Sequence, residues 1–328
     1  MSLPSHFAAA AAVLLALSSA ASLAQTPAAW PEARAIRIVV AYPAGGVSDV
    51  VARALGERLS ADLKTPVVIE NRAGAAGNIG MDAVAKAAPD GFTLGFASVS
   101  PLTLNPHLSK SNYDPQKDIA PVVSVMYSPI LLVATPSATA TDFGALIEQA
   151  RAHPGAVTWA TSGKGSVGHI MVEQIMRKAG VTITDIPYKG AGQQMQDALG
   201  GQFSVMSTNS SPALAAQLTN GKLRALATGA PTRLPKYPDV PTFGELGFEE
   251  ANMTSLFGLY APAGTPQDII VRINGVVNAA LKDPVVAQLL SASDNIATGG
   301  TPQAFTDAIA KEDANNGRII KAANITAN

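Results

Sequence analysis

The densest run of reactive side chains in the sequence is Thr161-Ser162-Gly163-Lys164-Gly165-Ser166-Val167-Gly168-His169. Hydroxyls, an ammonium and an imidazole follow one another there, and all of them can donate hydrogen bonds to an anion. Three chemistries fit the run. Ser166 with His169 has the residue types of a nucleophile and its base, so an exported Ser/His hydrolase is one reading, although no G-x-S-x-G turn supports it. Gly163-x-Gly165-x-x-Gly168, with Asp185 about twenty positions further on, outlines a nicotinamide-dinucleotide fingerprint. Against that, Asp185 sits inside Thr182 to Ile186, whereas a ribose-binding acid belongs at a strand tip. The third reading is a simple cradle for a carboxylate.

A second cluster is Tyr42-Pro43-Ala44-Gly45-Gly46-Val47-Ser48-Asp49. The glycines let backbone approach a ligand, and Ser48 or Asp49 is placed to cap the helix that follows. The N–H groups at that helix start, with the positive end of its dipole, suit an anion. Three shorter polar loops complete the set: Ser98-Val99-Ser100, Tyr188-Lys189-Gly190 and Ser207-Thr208-Asn209-Ser210-Ser211.

Each cluster must be held at the end of a strand. Short apolar runs supply those strands: Ile36 to Ala41, Val67 to Ile69, Thr93 to Ala97, Ile130 to Ala134, Val157 to Ala160, Phe203 to Met206 and Leu223 to Ala227. Amphipathic stretches lie between them, such as Val47, Val51, Leu55, Leu59 and Leu63 on one helical face. This alternation predicts an α/β protein with mainly parallel sheets, and ligands in such sheets bind beyond the carboxyl ends of the strands. Near Tyr127-Ser128-Pro129 one strand series gives way to another, and Pro231 to Gly247 reads as an irregular return crossing. Helical patterns from Gln267 to Leu281, Val285 to Leu290 and Gln303 to Asn316 then complete the first unit. The expected division is 1–24 as a signal peptide, 30–127 plus 251–328 as a discontinuous first lobe, and 128–250 as the second.

Composition narrows the functions. The apolar run Phe7 to Leu17, followed by small residues up to Ala24, predicts export with cleavage after Ala24 and no membrane anchor. Absence of cysteine excludes disulfides, thiolate catalysis and lipoprotein acylation. His107, His153 and His169 lack metal-ligand spacing, and no cofactor is implied. A net charge of −1 with 14% charged residues offers nucleic acid no basic surface.

The ordered set Tyr42-Pro-Ala-Gly-Gly-Val-Ser-Asp49, Val67-Val-Ile-Glu-Asn-Arg72-Ala-Gly-Ala-Ala-Gly77-Asn, Pro89-Asp-Gly-Phe-Thr93, Gly165-Ser-Val-Gly-His169, Pro187-Tyr-Lys-Gly190 and Leu234-Pro-Lys-Tyr-Pro-Asp-Val-Pro-Thr242 resembles the Bug (TctC-like) family. These are periplasmic receptors of tripartite tricarboxylate transporters. The resemblance implies a two-lobed, hinge-closing Venus-flytrap fold that grips a small di- or tricarboxylate or aromatic acid and performs no reaction. It also implies a monomer that docks transiently on membrane subunits. Carried onto this chain, the grip consists of Tyr42, Gly45, Gly46, Ser48 and Asp49 facing Ser162, Lys164, Ser166 and His169. Ser98, Ser100, Tyr188, Lys189, Gly190 and Asn209 complete the cleft. Two departures bear on the ligand. Asn209 stands where members often have Asp, and Lys164 where they commonly have a small polar residue, which implies two carboxylates or a carboxylate plus hydroxyls rather than an amino acid.

Overall fold

In the computed structural model, residues 30–32 and 34–326 are described, so the expected signal segment lies outside the described residues. The first helix shows how the sequence builds the fold. Val47, Val51, Leu55, Leu59 and Leu63 recur every fourth position and are all buried, each such side chain contributing roughly 1.5–3 kcal/mol. Lys64 then turns left-handed at φ 53°, and Thr65-Pro66 leads into the next strand.

The strands are β1 (Ile36–Val40), β2 (Val67–Asn71), β3 (Thr93–Ser98), β4 (Ile119–Ala134), β5 (Thr158–Thr161), β6 (Thr184–Pro187), β7 (Val205–Asn209), β8 (Arg224–Thr228), β9 (Thr254–Pro262) and β10 (Ile296–Ala297). The helices are α1 (Val47–Leu63), α2 (Asn78–Ala85), α3 (Ser100–Thr103), α4 (Asn105–Leu108), α5 (Phe143–Ala152), α6 (Val167–Ala179), α7 (Ala191–Leu199), α8 (Pro212–Thr219), α9 (Gln267–Ala280), α10 (Pro284–Ser291) and α11 (Pro302–Ala323).

Hydrogen bonding follows the order β2-β1-β3-β9-β4-β7-β5-β6, with β8 and β10 also on β4. The outer strands pair in parallel as the alternation predicts: β1 with β2 and β3, and β5 with β6 and β7. The central strands do not. β9 runs antiparallel to β3 and β4, and β4 antiparallel to β7 and β8, so both sheets are mixed. Helices cover both faces of each sheet. Two cores flank the first, around Leu55 and Ile273 on one side and Met81 and Phe305 on the other. Two flank the second, around Trp159 and Ile170 and around Phe203 and Leu214.

β4 joins the two halves. Its first part, as far as Pro129, pairs with β9, and from Ile130 it pairs with β7 and β8. The change of strand series expected near Tyr127-Ser128-Pro129 is therefore a change of partner within one continuous strand. The last helix ties the halves again. Phe305 near its start packs in a first-sheet core, whereas Ile320 near its end packs with Leu104 in a second-sheet core.

Candidate ligand-binding cleft

The polar loops converge on a cavity of about 630 Å³, mouth included. From the first half, Tyr42, Gly46, Val47 and Ser48 line it after β1, Ser98 at the end of β3, and Ser100 at the start of α3. From the second half come Ser162, Ser166 and Gly168 after β5, Gly190 and Ala191 after β6, Asn209 at the end of β7 and Ser211 after it. Ile130 of β4 with Ser255 and Phe257 of β9 make the floor. Phe257 is fixed by an edge-on contact with Tyr42 and by stacking on Phe96. None of the residues lining the cavity carries a formal charge.

Donors are nevertheless concentrated there, because helices α1, α6, α7 and α8 all begin at the wall. The first N–H groups of a helix have no partner within it and lie at the positive end of its dipole. At α6 and α8 a serine side chain takes up one of them, Ser166 accepting from the His169 N–H and Ser211 from the Leu214 N–H. At α1 and α7 the caps are Gly46 and Gly190, and no side chain caps either helix. Their N-termini belong to opposite halves, and a Cβ on Gly46 would lie 4.0 Å from the Ala191 Cβ. Uncapped helix starts from both halves therefore border the cavity.

The two halves touch at the rim. A Cβ on Gly190 would fall 2.2 Å from Pro43 Cδ, and one on Gly165 would fall 1.9 Å from Asn105 Oδ1. Gly163 lies against Ala76, whose left-handed φ of 50° is shared by its neighbour Ala75 at 48°. The cleft is closed in this conformation.

Of the residues expected to form the site, Tyr42, Gly46, Ser48, Ser98, Ser100, Ser162, Ser166, Gly190 and Asn209 line the cavity. Gly45, Asp49, Lys164, His169, Tyr188 and Lys189 do not. Asp49 neither caps α1 nor faces the ligand space. It accepts from Gly45 N at 3.0 Å, from Asn71 Nδ2 at 3.0 Å and from Arg53 at 2.9–3.1 Å. Burial opposes its charge, but those donors outweigh burial and hold its carboxyl below the ordinary range. Tyr188 turns away to donate to Asp197 at 2.7 Å, and Lys164 and Lys189 are exposed.

His169 is buried behind its loop. Its Nδ1 accepts from Gly165 N at 3.4 Å, and Ser166 Oγ bonds the His169 backbone rather than the ring, so the two do not form a nucleophile–base pair. Asp185 accepts from Thr161 Oγ1 at 2.9 Å on the side of β5, not at a strand tip facing a ribose. Tyr42 bonds Ser98 Oγ at 2.6 Å, and burial pushes its hydroxyl up to about 12 against that bond. Among the described residues no group of three or more His, Asp or Glu is placed to hold a metal ion.

Sequence reasoning missed the β9 part of the floor, Ser255 and Phe257. β9 and the first part of β4 read as undistinguished apolar sequence. Polar residues are few in both, and one pair of them, Ser128 and Ser255, face each other in register.

Two mixed α/β halves joined through β4, with a closed cleft at the helix N-termini, define a two-lobed periplasmic binding protein. The chain belongs to the tripartite tricarboxylate transporter receptor family, whose pattern it matches over residues 51–325. The protein BugT of Bordetella pertussis is 39% identical over 282 residues, covering 85% of this chain and 86% of BugT. A solved structure of Rhodopseudomonas palustris Rpa4515 with adipate superposes with a TM-score of 0.84 at 32% identity, covering 90% of this chain and 99% of that one. MatC from Rhodopseudomonas palustris with bound malate superposes with a TM-score of 0.83 at 29% identity, covering 88% and 99%. Among the described residues no helix is long and apolar enough to cross a membrane.

Proposed function

We propose that this chain captures a small organic carboxylate in the cleft and presents it, closed, to the membrane subunits of a tripartite transporter after export and cleavage following Ala24. The carrying observation is the pair of uncapped helix starts, α1 and α7, meeting across a cavity lined without formal charge. Three or four charge-assisted hydrogen bonds at roughly 1.5–3 kcal/mol each reach the approximately 8 kcal/mol of a micromolar ligand. Adipate and malate in two relatives have the matching chemistry. The lobes divide at Tyr127 to Pro129 and near Ala251, with the end of α11 strapped across to the second.

Lys164 does not line the cavity, so it gives no reason to assign a second carboxylate. Asn209 points instead to a ligand hydroxyl. Its Nδ2 donates to Ser128 O at 3.3 Å, which leaves its side-chain oxygen as the acceptor for a ligand donor. A carboxylate carrying a hydroxyl, with an apolar body over Phe257 and Ile130, satisfies the whole wall.

Thermal melting of residues 25–328, stripped of bound ligand, against mono-, di- and hydroxycarboxylates, amino acids and NADH tests this. A carboxylate at 1,000 times its Kd stabilises by about 4 kcal/mol. A shift with NADH alone, or with no acid, overturns the proposal.

A further inference from the structure

The loops that face each other from the two halves are built on the same local device. In each, a glycine with φ 81° stands immediately before the helix N-cap: Gly45 before Gly46, and Gly165 before Ser166. In each, its N–H points back to the side chain of the third helical residue. Gly45 N donates to Asp49 Oδ2 at 3.0 Å, and Gly165 N donates to His169 Nδ1 at 3.4 Å. The tie fixes the peptide from which the cavity-lining residues Gly46 and Ser166 start. The two acceptors differ in one respect. A carboxylate accepts at every pH above its low pKa, whereas an imidazole nitrogen accepts only while it carries no proton.

We infer that His169 is the positioning residue of the second ligand loop, and that ligand affinity falls as its Nδ1 takes up a proton. With Nδ1 accepting, the ring proton sits on Nε2, which lies 3.6 Å from Glu173 Oε1 on the same helix. A second proton must go to Nδ1, where it meets the Gly165 N–H donor to donor, and the loop has to move. The other charged groups acting on the ring are Asp185 on β6 and Lys164 in the loop itself. Added charge on the ring would attract an anion, but Glu173 and Asp185 stand beside it and offset that attraction. The lost tie therefore decides the sign. Burial already holds the imidazole below its ordinary 6.5, with Asp185 opposing and Lys164 assisting. The neutral form is thus favoured above 6.5, and its contribution is lost as pH falls through the lower folded value.

The binding arm rests on the carboxylate reading above; the loop arm does not. For the loop arm, amide NMR of the ligand-free chain is followed from pH 8 to 5. Gly165 should titrate with a midpoint below 6.5 and Gly45 should not, and in His169→Asn, whose amide oxygen takes the place of Nδ1, Gly165 should stay flat. For the binding arm, calorimetry with malate and with adipate over pH 5.5–8 should show affinity falling in the wild type towards the acid end, by less than tenfold and in step with the Gly165 titration. His169→Asn should change at most twofold, and His169→Leu should be about tenfold weaker throughout. A Gly165 amide that does not titrate overturns the inference, as does an unchanged pH profile in His169→Asn. If neither acid binds the wild type at any pH, the carboxylate reading fails for these probes, and the Gly165 titration alone decides the tie.

Discussion

Gly190→Ala separates closure from folding. The residue holds φ 153° and ψ −179°, a region that side chains avoid at a cost of about 1–3 kcal/mol. That strain acts whether the lobes are open or closed, so it lowers the melting temperature with or without ligand. The second effect exists only in the closed form. The new methyl would sit 2.2 Å from Pro43 Cδ and 2.6 Å from Cγ, where carbons ordinarily stop at about 3.5–4.0 Å. The rim must stay open by roughly 1.5 Å, which takes one set of helix N–H groups out of hydrogen-bond range of the ligand. Losing one or two charge-assisted bonds at about 1.5–3 kcal/mol each weakens binding at least 10- to 100-fold. Pro43→Ala deletes Cγ and Cδ and leaves room for the methyl. The double variant should therefore recover at least tenfold in affinity by calorimetry while keeping the lowered melting temperature of Gly190→Ala. Wild-type affinity in Gly190→Ala, or strictly additive losses in the double variant, would refute the argument that the rim contact belongs to the bound state.

Asp49→Asn turns one accepting oxygen into an amide donor that faces Asn71, Arg53 or Gly45. Denaturant unfolding should show a loss of about 1–3 kcal/mol, and calorimetry weaker binding, although this side chain does not line the cavity. Glu173→Gln should raise the melting temperature at pH 7.5. Burial, with Asp185 adding to it, raises this carboxyl above its ordinary 4.5. Its folded-state advantage is therefore complete below 4.5 and lost as pH rises through the higher folded value. Melting curves at pH 4 should show no gain.

Much of this architecture can be read from residue order, for a physical reason. A strand that ends in glycines and opens a helix must turn tightly, so Tyr42 to Asp49 and Ser162 to His169 announce both their place and their exposed N–H groups. The direction of each side chain in such a turn is set by φ and ψ and carries no residue-type signal. Lys164 and Ser166 are two apart, yet one is exposed and the other lines the cavity. Tyr188 and Lys189 adjoin Gly190 at the wall but project elsewhere. β9 was illegible because a strand buried on both faces, Ser-Leu-Phe-Gly-Leu-Tyr-Ala, loses the polar alternation that marks a half-exposed one. The antiparallel crossing, and with it the apolar floor at Phe257, went unread for the same reason.

A wall without formal charge also explains how such a cleft releases what it holds. A buried lysine or arginine facing the anion would need its own partner in the empty state, and breaking such a buried pair is costly. On the proposed reading, N–H groups at a helix start are satisfied by water when the lobes part and by the carboxylate when the lobes close. Because α1 and α7 belong to different halves, neither half alone provides the full donor set. Affinity is then tied to closure itself, and parting the rim at Gly190 and Pro43 suffices to weaken the grip. Anything that holds the halves apart, a docked membrane subunit included, should lower affinity without touching a single ligand contact.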